Sequence, residues 1–118
     1  MTIETEVCDV EALRLACRRR DLPEPVHRTA KLFTAEATGF CVELPDWKFP
    51  VVCECDTGTV HYDNFEGRWG DPALLDSLLQ TYAVEKTKLE ARRAGYSVIE
   101  RAQENGSIRL SIEVGGAA

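Results

Sequence analysis

The chain has 118 residues, 44% hydrophobic and 29% charged, with a formal net charge of −6. That length suits one domain, able to bury a core without metal or disulfide staples, expected over residues 1–114 with a flexible tail at 115–118. The acidity argues against a general nucleic-acid binder. The absence of a long apolar run argues against a membrane span.

Residues Thr2 to Cys8 alternate, with Ile3, Thr5 and Val7 on one side, and predict a half-buried strand. Asp9 is placed to cap a helix of about ten residues, VEALRLACRRR, with Leu13, Ala16, Cys17 and Val10 as its apolar face. Arg18, Arg19 and Arg20 then fall at the negative end of its dipole, a better reading for them than a phosphate contact. Pro23 and Pro25 stop the helix. From Val26 to Asn64 the pattern is strand throughout. The spacing predicts strands over Val26–Phe33, Gly39–Leu44, Pro50–Cys55 and Thr59–Asp63 in an antiparallel meander.

The most legible stretch is Asp71 to Val114. Asp71 is an N-cap and Pro72 a first helical residue. Leu75, Leu78, Leu79, Tyr82 and Leu89 form one stripe, with Val84 off it. Arg92 and Arg93 lie in the last turn, and Gly95 is the C′ stop. A helix over about 72–94 spans roughly 35 Å. Asn105-Gly106 then marks a hairpin. A two-residue turn there pairs Ser97 with Val114, Ile99 with Ile112 and Arg101 with Leu110, placing Ile99, Ile108, Leu110 and Ile112 on a core face against the helix.

Three groups of residues invite functional readings. Cys53 and Cys55 leave one face of a strand. A three-residue turn at Asp56-Thr57-Gly58, with Gly58 left-handed, would set Cys53 opposite His61 and Cys55 opposite Thr59. Two thiols and an imidazole resemble part of a metal site, with Cys41 as a further ligand. Zinc-type spacing is absent, however, and free cysteine usually packs as a small hydrophobe. The second group is the loop Asn64 to Asp71, where Arg68 and Trp69 are residue types enriched in partner interfaces and Asp71 opens the helix. The competing reading is that Trp69 lies as a lid on the core with Arg68 beside it. The third is Tyr82 with Glu85 and Lys86, better read as core and solvated face. No nucleophile–base, phosphate-loop or HExxH motif occurs, and nothing in the sequence pairs His27 or His61 with a carboxylate. The five cysteines, an odd number without CxxC spacing, are expected to be reduced thiols in a cytoplasmic protein.

The Asp9-capped helix after an N-terminal strand, Arg68-Trp69-Gly70-Asp71, Tyr82-Ala83-Val84-Glu85-Lys86 and Gly95-Tyr96 through Asn105-Gly106-Ser107-Ile108-Arg109-Leu110 together resemble the domain-of-unknown-function family 1257. That family includes the hypothetical chloroplast reading-frame-35 proteins and bacterial relatives. The family often opens Met-Ser-His; here the third residue is Ile3, so no role of that histidine transfers. The resemblance implies a small accessory protein and carries no catalytic residue. The expectation is an α+β fold of order β-α-β-β-β-β-α-β-β, with a curved antiparallel sheet packed by the long helix and the short N-terminal one. The expected function is a non-enzymatic interaction or accessory module binding another protein through Arg68, Trp69 and Asp71, with no cofactor. The alternative is a small-ligand or metal binder using Cys53, Cys55 and His61. Exposed sheet edges allow a homo-oligomer.

Overall fold

The structure is a computed structural model that describes residues 2–33, 35–103 and 108–113, apart from the side chains of Glu66, Ile112 and Glu113. The elements run β1 (Thr2–Glu4), α1 (Val10–Arg19), β2 (Val26–Lys31), β3 (Glu36–Val42), β4 (Val51–Glu54), β5 (Thr59–His61), a 3-10 turn over Phe65–Gly67, α2 (Pro72–Arg93), β6 (Ser97–Ala102) and β7 (Ile108–Glu113). This is the expected α+β order. Strands β1 to β5 form an open sheet in the order β1-β5-β4-β3-β2, all antiparallel, so β2 to β5 are the predicted meander. Strands β6 and β7 form a separate two-stranded sheet rather than extending the first.

Both helices start as their caps dictate. The Asp9 carboxylate accepts from the backbone N–H groups of Glu11 and Ala12, and that of Asp71 accepts from Ala73. Both also end alike. Leu22 N–H donates to the Cys17 carbonyl and Asp21 N–H to that of Arg18; Tyr96 and Gly95 repeat the pattern on Ala91 and Arg92. These are Schellman closures, which need a left-handed residue at C′. Gly95 supplies it at φ +82°, while α1 uses Asp21 at φ +56°. Among the described residues, no helix is long and apolar enough to cross a membrane.

One core lies between the helices and one face of the sheet. Leu13, Ala16 and Cys17 of α1 and Leu75, Leu78, Tyr82 and Leu89 of α2 pack there with Val42, Val51, Cys53 and Val60. Val84 is also buried, although it lies off the predicted stripe. The opposite sheet face holds a smaller cluster of Ala30, Leu32, Ala37, Cys41 and Val52, with Phe49 packed against it. The face assignments follow from the register: Phe40 pairs with Cys53 and Cys53 with Val60, while Cys41 pairs with Val52 and Val52 with His61.

Both hairpin registers differ by one residue from the sequence expectation. Cys53 lies opposite Val60 rather than His61, and Thr59 opposite Glu54 rather than Cys55. Gly58 is left-handed as expected, at φ +76°, but the turn also takes in Cys55. The Thr57 and Gly58 amides donate to Glu54, and the Gly58 carbonyl is held by the amide and hydroxyl of Thr5. A one-residue slip exchanges the faces of a strand. The expected register would have put the His61 imidazole into the helix-covered core, so burial of Val60 outweighs the shorter turn.

In the second hairpin Ser97 pairs with Glu113, Val98 with Ile112, Ile99 with Ser111 and Glu100 with Leu110. Ile99 therefore faces away from the Ile108–Leu110 side and is 39% exposed. The turn at Asn105-Gly106, the expected Ser97–Val114 pair and the tail at 115–118 lie outside the described residues. What sets the observed face is Glu100, whose carboxylate takes both guanidinium nitrogens of Arg19, at 2.6 and 2.7 Å. The same Arg19 reaches the buried Glu85 of α2 at 3.1 Å. The arginine read as a dipole partner is thus the joint between two helices and the hairpin.

Candidate functional site

The loop from Asn64 to Asp71 is built tightly. The Trp69 amide donates to the Asn64 carbonyl at 2.9 Å, and the Lys48 amide donates to the Trp69 carbonyl at 2.8 Å, tying it to the β3–β4 connection. Gly70 lies flat on the Trp47 ring, leaving no room for a Cβ, and the Trp47 indole N–H donates to the Asp71 carbonyl at 3.1 Å. The Asp71 carboxylate is engaged in the helix cap, so of the three residues expected to meet a partner it is a structural one.

These constraints bring four aromatic rings together. Phe65 stacks on Trp69 with centroids 4.7 Å apart and planes 24° from parallel. Phe33 meets Trp69 edge-on at 5.0 Å, and Phe49 does so at 5.8 Å. Such pairs contribute about 0.5–1.5 kcal/mol each beyond area burial. Two cations lie over the rings. The Lys48 ammonium is 4.6 Å from the Trp69 centroid, and the Arg68 guanidinium is 5.3 Å from that of Phe65. Trp69 is half-buried and joins Phe49, which rests on the smaller core cluster. It is therefore both the lid of one reading and the centre of the patch in the other.

The outer rings are not covered. Phe33 is 62% exposed and Phe65 is 45% exposed. Phe65 also sits at φ +45°, a region that a phenylalanine seldom enters and that costs about 1–2 kcal/mol. A strained backbone holding an apolar ring in solvent is the reverse of what folding alone selects. Sequence reasoning found Arg68 and Trp69 but missed Phe33, Phe49, Phe65 and Lys48. The one available signal was Phe65, an aromatic inside a glycine-bearing turn.

The cysteine–histidine group is not assembled. Cys53 points into the helix-covered core, His61 lies on the opposite face, and Cys55 has left the strand for the turn. Among the described residues, no group of three or more histidine, cysteine or acidic side chains is arranged to hold a metal ion. All five cysteines are free. Burial pushes the Cys53 thiol up to about 12 and those of Cys17 and Cys55 up to about 11, which opposes nucleophilic use. The register that separates His61 from Cys53 gives it a carboxylate instead: Nε2 lies 2.7 Å from Glu54 Oε2. The sequence had offered no such pairing.

Tyr82 anchors the chain between β1 and α1. Its hydroxyl donates to the Glu6 carbonyl and accepts from the Cys8 and Asp9 amides, all within 3.1 Å. Beside it a groove of about 420 Å³ runs past Thr5, Leu79, Lys86 and Glu90. Lys86 is bound at 3.1 Å by both Asp9 and Glu90, which hold its ammonium above the ordinary lysine range. The lysine of the groove is thus paired, while its remaining carboxylate, that of Glu6, is exposed to solvent. No family model matches the chain, and neither does any curated protein or solved structure.

Proposed function

We propose that this chain is a non-enzymatic binding module that docks another protein through the platform of Phe33, Phe65 and Trp69 rimmed by Lys48 and Arg68. The observation that carries the reading is Phe65, exposed, left-handed and stacked on Trp69. Large aromatic rings and arginine are the residue types that dominate interface energetics when a partner covers them. On this reading Trp69 is the rigid base of the site and the two phenylalanines are its contact surface. We further propose membership of the domain-of-unknown-function family 1257, on the motifs quoted above, and a cytoplasmic setting, which suits five free thiols.

The test is affinity capture from the native cell followed by mass spectrometry, comparing wild type with Phe33→Ala and Phe65→Gly. Glycine accepts the positive φ of residue 65, so that variant removes the ring without adding strain. Partners retained by wild type and lost by both variants, at unchanged melting temperature, support the reading. Identical partner sets for all three proteins overturn it.

A further inference from the structure

The chemistry of the patch restricts what can sit on it, granted the reading above that it is a docking surface. Open aromatic faces are the usual seat of a cationic ligand. Here the chain's own cations take that place: Lys48 lies over Trp69 and Arg68 over Phe65. Phe65 covers Trp69 as well. A methylated lysine or other cation would meet two like charges and a partly filled cage. A nucleic-acid strand stacks its bases on free ring faces and follows a run of cations. The patch has two cations, in a chain of net charge −6.

Both cations are exposed, and among the described residues neither forms an ion pair with a carboxylate. Arg18, Lys31 and Arg92 also lack such a pair, but among the described residues only Lys48 and Arg68 lie over aromatic rings. The patch thus presents two exposed cations beside apolar rings on an acidic protein, and four grooves of the fold lie elsewhere, beside Tyr82, at Arg14–Glu24, along the β2–β4 ends and under Tyr96.

We infer that the partner segment is an acidic peptide. An apolar side chain of the peptide covers Phe33 and Phe65, and flanking carboxylates meet Lys48 and Arg68. Electrostatic complementarity of this kind sets specificity and approach more than raw affinity. It also makes binding weaken with salt.

The experiment is selection of random peptides displayed on phage against three immobilised full-length proteins: wild type, Phe65→Gly and the double variant Lys48→Glu/Arg68→Glu. Exposed charges tolerate reversal with little effect on folding, which a melting curve verifies. Wild type is expected to enrich peptides rich in aspartate and glutamate around an aromatic or aliphatic residue, and the double variant basic ones. A selected acidic peptide, labelled with fluorescein, should bind the double variant at least about tenfold more weakly, two exposed ion pairs having become two repulsions. Phe65→Gly should enrich neither class. Enrichment of neutral or basic peptides by wild type, dependent on Phe65, overturns the acidic assignment and leaves the docking surface standing. Peptide enrichment indifferent to Phe65 overturns both. Phenylalanine-dependent binding of a thymidine oligonucleotide, or self-association of the purified chain through the patch in sedimentation, also overturns the acidic-peptide inference.

Discussion

Replacing Arg19 by methionine tests the joint that holds the hairpin to the helices. The guanidinium is shared between Glu100, at 2.6 and 2.7 Å, and Glu85, at 3.1 Å. The two carboxylates differ in exposure: the Glu85 side chain is 8% accessible and that of Glu100 is 28%. Without Arg19, Glu100 can turn to water, whereas among the described residues Glu85 keeps only Lys88, at 3.7 Å. The penalty is therefore concentrated at Glu85. Leaving a buried charged acceptor with a poor partner costs about 2–4 kcal/mol, toward the lower end of the range for a broken buried pair because Lys88 persists. Urea unfolding of a chain this size has a slope of about 1.5 kcal/mol/M, so the midpoint should fall by roughly 1.5–2.5 M. Adding Glu85→Gln to Arg19→Met removes the stranded charge and should recover at least about half of the loss. Hydrogen exchange should show β6 amides opening faster in both variants, since neither retains the Arg19–Glu100 link. A single variant within about 0.5 kcal/mol of wild type, or a double variant no better than the single, refutes the assignment of the cost to Glu85.

Asp21→Gly should stabilise the protein by about 0.5–1 kcal/mol, raising the melting temperature by roughly 2–5 °C, because glycine takes the left-handed C′ position freely and an anion leaves the negative helix end. Gly70→Ala should cost about 1–3 kcal/mol by driving a Cβ into the Trp47 ring, read by thermal melting. Burial raises the Asp9 carboxyl, but hydrogen bonds from Lys86, the Ala12 amide and Arg93 outweigh it and hold the group at about 2, below its ordinary 3.8. The resulting stability, at most about 2 kcal/mol, is complete above about pH 4 and is lost as pH falls through about 2. In urea titrations, the penalty of Asp9→Asn should accordingly shrink to under half between pH 7 and pH 2.5. A thiol-reactive disulfide at pH 8 should label exposed Cys8 first and Cys55 slowly, reaching Cys17, Cys41 and Cys53 only after unfolding. Labelling of Cys53 in the folded state would contradict its place in the core.

The sequence by itself determined what local chemistry decides. Asp9, Asp71, Pro72 and Gly95 act on nearby backbone groups, so both helices start, and α2 stops, where those residues direct. The antiparallel meander and the nine-element α+β sequence were legible from short strands at close spacing and from the helix signals. The tertiary structure decided everything that depends on which face of a strand is buried. A one-residue slip costs little in the turn but exchanges core for solvent along the whole strand, so Val60 and Glu100 set the registers that turn preferences misjudged. That slip separates Cys53 from His61 and joins His61 to Glu54. It was equally a tertiary matter that Phe33, Phe49, Phe65 and Trp69 meet. They come from three connections with no shared period, and only the fixing of Lys48 and Gly70 to their neighbours brings the rings together. Trp69 could be picked out in the sequence as a residue type; its role as the base of a patch exists only in the folded chain.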